Sequence, residues 1–336
     1  MVALLLIANT LNLGADLGAM AECLRLLMPQ VAAWIWISVL ALFCALGQTF
    51  FTRQRYVGTL KWLTFSLLSY FAVLFVVHIN WAELARGLIW PRWSGSRAMG
   101  LMVVAILGTT ISPYLFFWQA GEEVEDTKAD PERVPLNRNP AQGPSALARI
   151  RLDTTIGMAV SNLVGLAILV TAGATLHAGR SPELETAAQA AQALRPLVGN
   201  WAFALFTLGI VGAGLLSVPV LAGSAAYALA EARRWPVGLA RRPLQAKAFY
   251  ATIAIATFLG AMTNVVGLDP KNALVWAALI NGIVAVPVMI LVMLMARYPP
   301  IMAGFRVNGA LLAGGWAATL VMAAAALAWA ISLLTH

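Results

Sequence analysis

An apolar run from Leu101 meets a proline among hydroxyls at Gly108–Tyr114 and ends in carboxylates at Glu122 and Glu123. Pro113 has no amide hydrogen, and its ring clashes with the carbonyl four residues back, so a helix cannot pass through it unbroken. Thr109, Thr110 and Ser112 crowd hydroxyls around the break. In a bilayer, freed carbonyls and hydroxyls are tolerated only where protein buries them or a watery cavity meets them. Transporters use such broken helices to hold ions and substrates at mid-membrane. A proline kink patched by threonine hydroxyls is the plainer reading of the same residues, and the sequence leaves both open.

A second group lies near the N-terminus. Asn9, Asn12 and Asp16 fall at helical spacings of three and four, so they share one face. Gly14 and Gly18 on the same helix let another backbone approach closely. A carboxylate in a membrane span is costly and usually faces the bundle interior or a water-filled path. The stripe is therefore expected to serve a proton or ion pathway, with a purely structural clamp as the alternative. Asn281 and Gly282, ahead of Pro287, suggest another distorted helix and place Asn281 among the candidate pathway residues. Glu122, Glu123, Glu125 and Asp126 form an acidic exit that reads either as a solvated helix end or as an ion vestibule.

These groups need apolar helices to position them, and the composition supplies little else. The chain is 61% hydrophobic and 11% charged, and its mean hydropathy is +0.81. That is outside the range of soluble domains. Apolar segments long enough to cross a bilayer recur throughout. Nine are expected, at about 2–28, 31–50, 57–79, 98–118, 152–178, 199–230, 247–268, 272–296 and 308–334. If the first runs outward, 15 of the 22 basic residues fall on cytoplasmic loops, including those at 122–150 and 231–246. The +8 charge is thus read as membrane topology, not nucleic-acid affinity. Cys23 and Cys44 sit inside spans and imply no disulfide framework. His78, His177 and His336 lie at span ends or the terminus, which argues against a metalloenzyme. No nucleophile–base pair or cofactor motif points to an enzyme. Residues 124–145 read as a polar, proline-rich linker, and 181–197 as an amphipathic helix at the outer interface.

The run from Ala8 through Asn9, Asn12, Gly14 and Asp16 to Gly18 resembles the third span of the natural resistance-associated macrophage protein (Nramp) family of divalent-metal transporters. Ser94–Arg97 and Gly108–Tyr114 resemble the approach to that family's sixth span and the span itself. Asn162, and Leu197–Gly199 leading through Leu205–Gly209 to Gly212–Gly214, are similar to its seventh and eighth spans. The resemblance runs through essentially the whole chain in the family's order. It implies an all-α, polytopic membrane protein with a LeuT-type inverted-repeat transporter fold. Residues 1–336 would form one transmembrane domain: 1–79 a remnant of the first repeat, 98–296 the second repeat, and 308–334 an additional span.

Two departures matter. The family's sixth span normally reads Met-Pro-His-Asn at its break, with the methionine sulfur binding metal. Here Ser112 takes the methionine's position, Tyr114 and Leu115 replace the histidine and asparagine, and Thr109 matches the residue that donates its carbonyl. Ser112, Thr109 and Tyr114 are therefore the metal site that the resemblance implies, with manganese- or iron-type selectivity giving way towards magnesium. Met1 opens into what resembles the third span, so the family's first two spans, with their metal-ligating aspartate, are expected to be missing. The expected activity is inward secondary transport of a divalent cation at the cell membrane, coupled to protons, with the cation as cargo and no resident cofactor. The rivals are an amino-acid or small-solute transporter of the same fold, and a truncated, non-transporting remnant or accessory subunit.

Overall fold

The computed structural model describes residues 1–51, 55, 58–59, 62–76, 79–90, 96–179, 187–302, 304–305, 307 and 309–334. Among them there is no strand. The helices are α1 (Val2–Leu27), α2 (Ala33–Phe50), α3 (Leu68–Val76), α4 (Trp81–Ile89), α5 (Arg97–Thr110), α6 (Pro113–Ala129), α7 (Gly143–Gly179), α8 (Ala187–Ala232), α9 (Lys247–Val265), α10 (Pro270–Met295), α11 (Pro299–Met302) and α12 (Ala310–Leu334). Eight stretches of the described residues are long and apolar enough to cross a membrane. The ninth expected span, 57–79, is described only in part: a 3-10 turn at Thr64–Leu67 and α3. The chain is an all-α, multi-pass integral membrane protein.

Long apolar helices form here because a bilayer offers no water to the backbone, so each segment satisfies its own amides. Punctuation comes from a few residues. Gly267 (φ +80°) ends α9: the Leu268 amide reaches back to the Thr263 carbonyl (3.1 Å) and the Gly267 amide to that of Asn264 (3.4 Å). Such a left-handed stop favours glycine. Asp269 then caps α10, accepting from the Lys271 amide at 3.1 Å, with Pro270 opening the helix.

The chain divides into two compact units. One comprises Asn9–Trp93 and Ala159–Leu274. Its core is built from Leu13, Leu17 and Met20 of α1, Leu221 and Tyr227 of α8, and Phe249 and Ile253 of α9, all fully buried. The Tyr227 and Phe249 rings meet edge-on, 5.0 Å apart, in the arrangement that ring quadrupoles favour. The Tyr250 hydroxyl donates to the Arg241 carbonyl (2.9 Å) and ties the 233–246 loop to α9. α2 is fastened by Gln48, whose amide donates to the Pro219 carbonyl at 2.6 Å. α3 adds a smaller cluster in which Tyr70 packs on Val164 and Ala167 of α7.

The other unit comprises Met1–Ala8, Ser94–Met158 and Val275–His336. Ala285 and Met289 of α10 and Met322 of α12 form its core, with Leu107 and Ile111 packed against them. Leu311, Leu320 and Leu327 of α12 remain exposed, which suits a surface turned to lipid.

Three sequence expectations change. The linker predicted at 124–145 is shorter, because α6 continues to Ala129 before the chain turns. The interfacial helix expected at 181–197 is not separate where it is described: from Ala187 it is continuous with the span that ends at Ala232, and 180–186 lie outside the described residues. Pro287 does not interrupt α10, which is helical from Pro270 to Met295.

Candidate functional site

The break between α5 and α6 is two residues wide. Ile111 (φ −109°, ψ 68°) and Ser112 (φ −83°, ψ 123°) leave helical geometry, and Pro113 restarts it. Pro113 explains both sides: it disfavours helix for the residue before it, and it suits the first position of a new helix. The Thr109 carbonyl would ordinarily receive the amide of residue 113, which proline lacks. Ser112 replaces that donor. Its hydroxyl lies 3.0 Å from the Gly108 carbonyl and 2.9 Å from that of Thr109. Thr109 and Thr110 both turn their hydroxyls back onto the Ile106 carbonyl, at 2.8 Å each. Such back-bonding patches a helix end locally.

Of the three residues expected at the metal site, Ser112 is buried, Tyr114 half-buried and Thr109 exposed. The break brings the Thr109 carbonyl and the Ser112 hydroxyl together. The Thr109 hydroxyl is committed to its own helix.

What holds the break in place is α10, a feature the sequence did not announce. A Cβ on Gly108 would run into the Ala278 carbonyl and stand 2.9 Å from the Gly282 amide nitrogen, so the two backbones touch one turn before the break. Asn281 lies between those two residues and is 2% exposed. Its Oδ1 has no hydrogen-bond donor among the described residues, an uncommon state for a buried amide oxygen.

In the other unit, the α1 stripe faces α8. The Asn9 side chain donates to the Leu221 carbonyl (3.0 Å) and contacts the Ser224 hydroxyl (3.4 Å). The Ser217 hydroxyl donates to the Asp16 carboxylate. Ser217, Leu221 and Ser224 occupy one face of α8 at spacings of four and three. Asn12 lies half-buried between Asn9 and Asp16. α9 closes on another side. A Cβ on Gly14 would strike Thr263 and the Gly260 carbonyl, and one on Gly18 would strike Asn264. The Asn264 amide donates to the Gly14 carbonyl at 2.8 Å. The expected close approach at the two glycines is therefore real, and its partner is α9.

The acidic exit is not a freely solvated helix end. Glu123 forms an ion pair with Arg149, one contact of which is 3.3 Å, and Gln119 donates to the Thr154 hydroxyl at 3.2 Å. Glu125 is buried and Glu122 half-buried. This ladder fastens α6 to the start of α7. Among the described residues no three His, Cys, Asp or Glu side chains gather as a metal site. A cation at the break would meet carbonyl, hydroxyl and amide oxygens.

The ordered motifs extend over the chain, and so does the family likeness. The sequence profile described as "Natural resistance-associated macrophage protein-like" matches residues 1–332. The chain belongs to the Nramp family. Among individual Nramp relatives it is similar to the divalent metal cation transporter MntH of Verminephrobacter eiseniae (strain EF01-2). The two are 28% identical over 190 residues, 56% of this chain and 41% of the relative. MntH of Yersinia enterocolitica is 29% identical over 162 residues, 46% of this chain and 36% of the relative. MntH of Ralstonia nicotianae is 29% identical over 150 residues, 44% and 32% respectively. This Nramp chain thus spans less than half the length of these curated relatives.

Proposed function

We propose that this chain acts in the transport of a divalent cation, and that the α5–α6 break is where it meets the ion. Family membership supports cation transport, and the relatives are named as divalent metal cation transporters. The observation that carries the reading is the pairing of the Thr109 carbonyl with the Ser112 hydroxyl at a helix break. A hydroxyl has one hydrogen and two lone pairs. With its hydrogen directed at the carbonyls, Ser112 still presents oxygen to a cation. The buried, unpartnered Oδ1 of Asn281 is a second oxygen of the same hardness in the same unit.

Oxygen donors favour magnesium, calcium and manganese, whereas a thioether favours softer metals. The proposed site therefore discriminates weakly between manganese and magnesium. Asp16, joined to Ser217 in the other unit, is the proposed group for proton transfer; it is the one acid of a stripe it shares with the amides of Asn9 and Asn12. Competition uptake in proteoliposomes tests the assignment. Wild type is expected to take up manganese with less than ~10-fold preference over magnesium, and Ser112→Met is expected to shift preference towards manganese, iron or cadmium by ~10-fold, about 1.4 kcal/mol. Exclusion of magnesium by several orders of magnitude in the wild type would overturn the oxygen-site reading.

A further inference from the structure

Beyond the break, the turn that follows α6 forms a cleft of about 490 Å³ whose walls include Lys128, Asp130, Arg133, Pro135, Asn137 and Arg138. It is held in shape by Gln142. The Gln142 side chain accepts from the Val134 amide (3.1 Å) and donates to the Glu132 carbonyl (2.7 Å). The Arg138 amide closes a turn onto the Pro135 carbonyl at 2.8 Å. Asp130 accepts from the Glu132 amide (3.0 Å) and pairs with Arg133 (2.9 Å), so one basic and one acidic group neutralise each other. Lys128 and Arg138 remain. Neither has a carboxylate partner among the described residues.

We propose that this cleft binds a phosphate group. Two cations lining one cleft, one at the end of α6 and one on the turn, with Asn137 in the same wall, match the charge and donor needs of a phosphate ester, and an arginine fork suits its paired oxygens. Lys128 stands in the last turn of α6, past the end of the apolar run and the carboxylates that follow it. The loop is also on the side the basic residues mark as cytoplasmic, where anionic lipids gather. A headgroup and a free phosphate ion present the same chemistry, and the test below separates them.

Native mass spectrometry of the purified 336-residue chain, with phosphatidylglycerol or phosphatidylcholine added at physiological salt, reads the site directly. Wild type is expected to retain phosphatidylglycerol at least ~5-fold better than the Lys128→Gln/Arg138→Gln double variant, with phosphatidylcholine retention unchanged. Thermal unfolding of the double variant should match wild type, because both side chains are exposed. Arg233→Gln/Arg234→Gln, in another basic loop, serves as control. Displacement of the lipid by millimolar inorganic phosphate identifies free phosphate as the ligand, and resistance to it identifies the headgroup. The proposal is overturned if the double variant retains phosphatidylglycerol like wild type, or if the control pair loses as much, since binding is then diffuse surface attraction.

Discussion

Ser112 offers one proton to two carbonyls, so at any moment one of them is incompletely served. Ser112→Ala removes the donor from a buried site and should destabilise the protein by about 1–3 kcal/mol, seen as a lower melting temperature in detergent. Asp16 makes a different demand. Asp16→Asn keeps the oxygen that Ser217 addresses and removes only the titratable charge. The melting temperature should therefore stay close to wild type while proton-driven uptake falls at least ~10-fold. A fall in stability that parallels the lost uptake would make Asp16 a clamp and nothing more. The glycines divide the same way. Gly108→Ala pushes a Cβ into the Ala278 carbonyl and should cost about 1–3 kcal/mol. Gly100→Ala, on the same helix, meets nothing within 4 Å and should be neutral or stabilising by up to ~1 kcal/mol.

Elements were legible in the sequence where a residue acts on its own backbone. Pro113 announced the α5–α6 break because its missing amide needs no partner to be known. The width of the break was not legible: Thr109, Thr110 and Tyr114 accept helical geometry, and nothing local says on which side of the proline it fails. The α1 stripe stood out because amides and a carboxylate are conspicuous among leucines and alanines. Its partners did not, since Ser217 and Ser224 lie about 200 residues away and look like any serine in an apolar helix. Charge runs mislead for a related reason: Glu123 reads as solvated until the fold brings Arg149 to it. Restoring a donor at the break tests the element as a whole. Pro113→Ala gives Thr109 a possible amide partner, so it should raise thermal stability by about 1–3 kcal/mol and reduce uptake. Greater stability with uptake unchanged would mean that the break is a kink without a role in transport.

At the scale of the molecule, the uneven placement of basic residues predicts which loops face the cytoplasm. The two native cysteines are buried, so an introduced thiol reports with little background. Asn137→Cys should label only from the cytoplasmic side, and Leu268→Cys only from the opposite side; both positions are exposed. Labelling of both from one side would refute the alternation of spans between them.

The turn from Gly267 to Pro270 also bears on how the chain enters the membrane during synthesis. Four residues join α9 to α10, and on the orientation that the basic residues predict this turn is carried across the membrane. The cargo at its tip is small: Asp269 and Lys271 are of opposite sign, and the carboxylate already accepts from the Lys271 amide and the Asn272 side chain. A leading edge with no net charge and a satisfied acid meets a lower dielectric barrier than either charge carried across unaccompanied.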